Sequence, residues 1–296
     1  MIEKDKSNTI ELFDVFSKKE VRKKISEIIT SHEYDHDFIV SIPHSGTLVP
    51  KEILSELEDV DLLIEIDMLS DTIFSFKRGI EICSRLAPFV VDMNRAKQGS
   101  SQAPSHLRND PLNYITIDDK SLRRCPLTKK RSLELMGYYD LYHALIRQAI
   151  ETMRLSRGFA LVIDGHSMTS IGLRYSVDKD KKRGDFVIGT LRGTSAHPTI
   201  IKAFKDELCS HAEQLNMRVD VDVPYDGGFI TRTHSAYADV LQIEVSMDAY
   251  MHEGFIKDKA RRYRLKSRHT KVKNALLSAI EKAAEAGRRL NNSSSI

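Results

Sequence analysis

Two histidines sit in matching contexts. His44 follows the apolar run FIVSIP in IPHSG, and His166 follows FALVI in IDGHS. Neutral imidazole is the commonest zinc ligand, and a catalytic zinc usually takes three protein ligands and keeps one open position. Two histidines and one carboxylate make such a set. The carboxylate candidates on spacing are Glu65, Asp67, Asp71 and Asp164. Asp67 and Asp71 lie four apart and share one face if Met68 to Lys77 is helical. Asp164 is also placed to orient a ligand imidazole from behind. A further carboxylate, Glu244, stands inside the apolar run LQIEV. Burial there would raise its pKa, which suits a general base or acid beside a polarised water.

Anion-binding groups accompany these residues. Asn94 and Arg95 end VVDMNR, and a guanidinium offers a bidentate fork to a carboxylate. GGFITR contributes Arg232 behind a glycine pair, and IGLRYS contributes Arg174 just after the second histidine motif. The set describes metal-assisted chemistry on a substrate that carries a carboxylate.

Something must hold these residues at one place. Short apolar runs predict strands at Phe38 to Ile42, Phe89 to Val91, Phe159 to Ile163, Phe186 to Ile188 and Val240 to Val245. Val219 to Val223 alternates Val and Asp, which predicts a strand with one wet face. Apolar residues at three- and four-residue spacing predict helices over Glu20 to Thr30, Met68 to Lys77, Leu133 to Leu155 and Thr199 to Leu215. Val272, Leu276, Ile280 and Ala284 form the stripe of a last helix, with Gly287 as its stop and NNSSSI as a frayed end. Strands alternating with helices predict an α/β sheet covered on both faces, in which ligands bind at the carboxyl ends of strands. The polar loops at Lys97 to Lys120 and Val177 to Gly184 then belong to the surface or the site.

Bulk properties set outer bounds. The 296 residues suit a single α/β domain spanning 1–296, with 41% hydrophobic and 29% charged content typical of soluble chains. No run approaches the roughly 18 apolar residues of a membrane helix. The charged start MIEKDKSNTIELF lacks a signal-peptide core, so a cytoplasmic location is expected. Cys83, Cys125 and Cys209 are scattered and odd in number, which argues against a disulfide framework or a thiolate zinc site. The net charge of +3 is uneven. Lys257 to Arg289 holds 12 Lys/Arg against 3 Asp/Glu, a local +9, leaving −6 elsewhere. With little aromatic interleaving this basic helical segment, about 257–290, is expected to be a solvated face and not a nucleic-acid platform.

Taken in order, IPHSGTLVP, the Asp67 segment, VVDMNR, YYDLYHAL, IDGHSM, GDFVIGT, GGFITR and LQIEVSMDAYM resemble the N-formylglutamate amidohydrolase family. The likeness runs from about Phe38 to His252. It implies a zinc carboxypeptidase-like (phosphorylase/hydrolase-like) fold: a mixed, mostly parallel sheet flanked by helices on both faces. It implies one zinc ion, or another divalent metal, on His44, Asp67 and His166. By the same resemblance Asn94 and Arg95 hold a substrate carboxylate and Glu244 is the catalytic glutamate; by their positions, Arg232 or Arg174 would assist in holding the substrate. Asp164, and Asp71 as the rival of Asp67, would stand behind the ligands. The implied substrate is a small N-acyl acidic amino acid such as N-formyl-L-glutamate. Two departures stand out. Thr47 occupies the place of the glutamate in the His-x-x-Glu pair of carboxypeptidases, and Leu141 replaces a proline before Tyr142 and His143.

Overall fold

The computed structural model describes residues 9–34, 37–97, 110–117, 119–174, 176–253 and 262–293. In chain order the elements are β1 (Thr9–Asp14), β2 (Lys19–Lys24), β3 (Ile29–Glu33), β4 (Ile39–Ile42), β5 (Leu48–Pro50), α1 (Lys51–Leu54), α2 (Ser70–Phe74) and β6 (Ile80–Ser84). There follow α3 (Lys129–Arg157), β7 (Leu161–Met168), β8 (Phe186–Gly189), α4 (Pro198–Gln214), β9 (Val219–Val221), α5 (Phe229–His234), β10 (Asp239–Ser246), α6 (Met247–Tyr250) and α7 (His269–Ser293).

Seven strands form one sheet in the order β3-β6-β4-β7-β10-β8-β9, and β2-β1-β5 form a small antiparallel sheet beside it. In the large sheet β6, β4, β7 and β10 run parallel to one another, while β3 and β8 join antiparallel. The sheet is therefore mixed and mostly parallel, as expected. Its central strands are apolar runs buried throughout, because helices deny water to both faces. Ser41 of β4 and Asp164 of β7 are paired in register, and Ser41 meets Tyr142 of α3. The next residue along β7, Gly165, faces Phe74 of α2 on the opposite side, where α2 packs on α7. Among the described residues no helix is long and apolar enough to cross a membrane.

Several sequence expectations change here. Glu20 to Thr30 is not a helix but β2, a short 3-10 turn and the start of β3. Its 3.6-residue spacing is overridden by the hairpin partner β1, joined through a turn in which Asp14 accepts from the amides of Phe16 and Ser17. Phe89 to Val91 is not a strand but a buried turn, whose carbonyls at Phe89 and Val90 accept from the Arg123 guanidinium. The strand beside β4 is β6, Ile80–Ser84. Only Ser70–Phe74 of the expected Met68 to Lys77 helix is helical, so Asp67 precedes it and shares no helix face with Asp71. Strand β9 stops at Val221, short of Val223.

α3, α4 and α7 fall where the apolar periodicity places them, and Val272, Leu276, Ile280 and Ala284 are buried. Gly287 does not stop α7, which runs on to Ser293. A Cβ there would lie 2.7 Å from the Phe159 ring, so the glycine allows close packing instead of ending the helix. The basic segment is helical only from His269, and 254–261 lie outside the described residues. Several of its cations are bound within the chain: Lys266 and Arg268 donate to Asp248, Lys273 to the carbonyls of Thr72 and Ser75, and Arg288 pairs with Asp37.

One contact fixes the turn after His44. The Leu48 amide donates to the Arg85 carbonyl and the Ala87 amide to the Leu48 carbonyl, both at 3.0 Å. That pairing presses Gly46 onto the chain leaving β6. A Cβ on Gly46 would sit 2.2 Å from the Leu86 carbonyl oxygen, against backbone that has no rotamer to yield. Gly46→Ala is expected to destabilise the fold by about 1–3 kcal/mol, read as a lower urea midpoint with unchanged slope.

Candidate active site

β4, β7 and β10 end at the same edge of the sheet, and their register does most of the positioning. β10 pairs parallel with β7 so that Gln242 lies beside Asp164 and Glu244 beside His166. Alternation puts residues two apart on one face. Asp164, His166, Gln242 and Glu244 therefore form a two-by-two block of side chains on the face that α3 covers. His44 enters from the turn after β4, and the Asp67 amide donates to the His44 carbonyl, joining the two segments.

His44, Asp67 and His166 offer one donor atom each within 4.8 Å of one another. Asp67 Oδ2 stands 3.7 Å from His44 Nδ1 and 3.3 Å from His166 Nδ1. Each ring turns its other nitrogen to a carboxylate: His44 Nε2 to Asp92 at 2.7 Å, His166 Nε2 to Asp164 at 3.1 Å. Outer carboxylates of this kind fix the tautomer and orientation of metal-binding imidazoles. The carboxylates of Asp67, Asp92, Asp164 and Glu244 surround the two imidazoles, and Arg95 stands beside Asp92. Burial lowers the pKa of His166, but Asp164 and then Asp67 outweigh it and hold the pKa well above the imidazole range. Burial likewise opposes the charge on Asp92, yet Arg95 and then His44 keep its carboxyl well below the usual range. Two imidazoles and a carboxylate converging in an acidic setting fit a divalent cation.

Glu244 is buried on the wall of the same cavity. Burial pushes its pKa up to about 7 against the pull of His166. Gln242 donates to Glu244 Oε1 at 3.1 Å and accepts from the Gly228 amide, so the carboxylate is held in place. The cavity of about 340 Å³ also takes in Arg95, Arg232, Tyr225 and Met168. That size suits a small ligand.

The other sequence candidates separate. Asp71 pairs with Arg85 at 3.3 Å, away from the histidines. Glu65 lines the cavity and accepts from the Ile117 amide. Asp164 stands behind His166, fully buried, and also accepts from Ser41 and Thr231. Arg95 and Arg232 reach the cavity, each next to an aspartate, Asp92 at 3.6 Å and Asp226 at 3.1 Å. Arg174 is exposed and does not line it. Asn94 lines the cavity, with its Oδ1 accepting from the Ile230 amide at 2.7 Å and its Nδ2 lying 3.0 Å from His166 Nε2.

Asp92 is a member that the sequence analysis did not single out. Its place two residues before Asn94, in a segment already singled out, was the available signal. Gln242 was also missed, although it stands two residues before Glu244 on the same strand.

A mostly parallel α/β sheet with a histidine–carboxylate cluster and a buried glutamate at its strand ends defines a hydrolase-type enzyme site. A family model described as N-formylglutamate amidohydrolase matches residues 36–251. The chain belongs to the N-formylglutamate amidohydrolase family. N-formylglutamate deformylase of Pseudomonas putida is 24% identical over 248 residues, 77% of this chain and 87% of that protein. N-formylglutamate deformylase of Pseudomonas aeruginosa is 27% identical over 232 residues, 73% of this chain and 82% of that protein. The crystal structure of an N-formylglutamate amidohydrolase from Ralstonia eutropha shares the fold with a TM-score of 0.71 at 21% identity, covering 88% of this chain and 98% of that one. A gene product of Agrobacterium tumefaciens shares it more distantly, with a TM-score of 0.56 at 15% identity over 89% and 96% of the two chains.

Proposed function

We propose that this enzyme hydrolyses N-formyl-L-glutamate to formate and L-glutamate with one zinc ion on His44, Asp67 and His166. The observation that carries this is the meeting of that donor set with Glu244 on one small cavity that arginines also reach. A zinc ion there supplies Lewis acidity to the formyl carbonyl and lowers the pKa of water.

The chain's own residues do the rest. Glu244, with its pKa near 7, takes a proton from the attacking water and delivers it to the leaving nitrogen. Water adds to the formyl carbon, the C–N bond breaks, and the amine departs with the added proton. Arg95, next to Asp92 and directed to the cavity, binds a substrate carboxylate, and Arg232 stands ready for the second. Asp92 and Asp164 hold the two imidazoles so that their Nδ1 atoms face Asp67.

A panel of N-formyl, N-acetyl and N-succinyl derivatives of glutamate, aspartate and glutamine tests the assignment. N-formyl-L-glutamate is expected to have the highest kcat/KM. Arg95→Met is expected to raise KM for it about tenfold to 100-fold, the loss of a charge-assisted hydrogen bond of about 1.5–3 kcal/mol. Equal kcat/KM for N-formyl-L-glutamine in the unaltered protein would refute the need for a second carboxylate.

A further inference from the structure

The YYDLYHAL segment lies on α3, and none of its side chains lines the cavity. Its three buried polar residues nevertheless all reach toward the site. The Tyr139 hydroxyl donates to the Arg95 carbonyl at 2.8 Å, and His143 Nε2 lies 3.0 Å from the Met93 carbonyl. The Tyr142 hydroxyl is 2.8 Å from Ser41 Oγ, which in turn donates to Asp164. Tyr139 and His143 stand one helical turn apart, so they grip the two carbonyls that flank Asn94. Asn94 itself accepts from the Ile230 amide of α5, and its Nδ2 packs 3.0 Å from His166 Nε2.

His143 does not act alone. Its Nδ1 is 3.1 Å from His234 Nε2, and the two rings stack at 5.4 Å and 16°. The hydrogens follow from the acceptor at the end of the chain. A carbonyl only accepts, so His143 Nε2 carries the hydrogen. In a neutral ring Nδ1 is then an acceptor, so His234 Nε2 must donate to it. His234 Nδ1 is left as a buried acceptor without a partner among the described residues. Burial lowers the pKa of His143 to about 3 and that of His234 to about 4, in keeping with two neutral rings. His234 ends α5, whose Ile230 and Thr231 also bind Asn94 and Asp164. A helix of six residues thus holds the site through three successive contacts.

We propose that His234 and His143 form a relay of one fixed tautomer that sets the Met93–Arg95 turn, making His143 a positioning residue for Asn94 and Arg95. Through Asn94, packed against His166, and through Asp92, the neighbour of Met93 that binds His44, it steadies the two imidazoles, and through the turn it aims Arg95 at the substrate carboxylate. The second effect rests on the function proposed above; the first does not.

The test has two arms. In protein carrying 15N-histidine, long-range 1H–15N NMR is expected to show both rings neutral with hydrogen on Nε2 from about pH 5.5 to 8, through the usual histidine range. His143→Phe and His234→Phe supply the assignments. In the second arm, zinc affinity is measured by competition with a chromogenic chelator, alongside KM and kcat. His143→Phe is expected to weaken zinc binding and raise KM, each about tenfold to 100-fold, as for other outer partners of metal sites. His143→Gln can still donate to Met93 and accept from His234, and is expected to recover most of both. A purely structural role would lower thermal stability and leave zinc affinity and KM unchanged, which would overturn the proposal. So would hydrogen on Nδ1 of His143 or a charged ring, and that readout on the unaltered protein decides if His143→Phe does not fold. Should no N-acyl amino acid be hydrolysed, the functional assignment fails while the tautomer and zinc readouts still decide this one.

Discussion

Glu244→Gln is expected to lower kcat about 100- to 10,000-fold, the range for losing a positioned general base, while zinc content stays that of the unaltered protein. The exchange keeps size and the contact with Gln242, since the glutamine oxygen can accept that amide. It removes only the ability to hold a proton. Burial raises the pKa of Glu244 to about 7, and the active form is the carboxylate. Activity should therefore fall as pH drops through the pKa, giving an acid limb in kcat/KM. A bound cation favours the carboxylate and moves that limb below pH 7. The limb should be absent from the residual activity of Glu244→Gln. Stopped assays across pH, with metal analysis of the same samples, measure both. A variant with full turnover, or the same acid limb in its residual rate, would remove Glu244 from the mechanism.

Asp67→Asn should act on a different quantity. Asp67 Oδ2 lies between the two Nδ1 atoms and also accepts from the Ser167 amide at 3.0 Å. Asparagine preserves the shape but offers a neutral oxygen, so one of the three proposed ligands loses its charge. We expect zinc to be lost on desalting and kcat/KM to fall more than about 100-fold, exceeding the tenfold to 100-fold cost of an outer partner. Asp71→Asn is the matched control. Asp71 is partly exposed in an ion pair with Arg85, which contributes about 0–1 kcal/mol to stability. It should keep zinc and activity. If Asp67→Asn retained one zinc per chain after desalting and Asp71→Asn did not, the ligand assignment would be reversed.

Much of the site's membership was legible before its geometry. His44, His166 and Glu244 each stand in or just after a strongly apolar run, and such runs become buried parallel strands because helices must cover both faces. A polar group at the end of such a strand opens onto the sheet edge where ligands bind. The long helices α3 and α4 and the buried stripe of α7 were legible for the same local reason: their periodicity holds over several turns. Short elements were not. The apolar residues of Glu20 to Thr30 satisfy a helical spacing, and only the presence of β1 makes them strands. The turn at Phe89 to Val91 has a strand's composition, but the place beside β4 is taken by Ile80–Ser84.

Roles within the site depended on contacts distant in sequence. Four carboxylates were open as ligands on spacing, and the resemblance singled out Asp67. The structure separates them: Asp67 faces both Nδ1 atoms, Asp71 is turned to Arg85, Asp164 lies behind His166, and Glu65 accepts from Ile117. Asn94 and Arg95 are neighbours in sequence and both line the cavity, yet Asn94 accepts from the Ile230 amide while Arg95 stands beside Asp92. Arg174 has the right residue type in the wrong loop. The amino-acid sequence by itself determined the family, the buried strands and which polar residues stand at their ends, because these follow from residue order and local hydrophobicity. Only the tertiary structure decided which nitrogen faces which carboxylate and why a histidine pair lies beneath the site. Those depend on the parallel register of β7 with β10 and on α3 packing across β4 and β6, which bring to one cavity residues as far apart in sequence as His44 and Glu244.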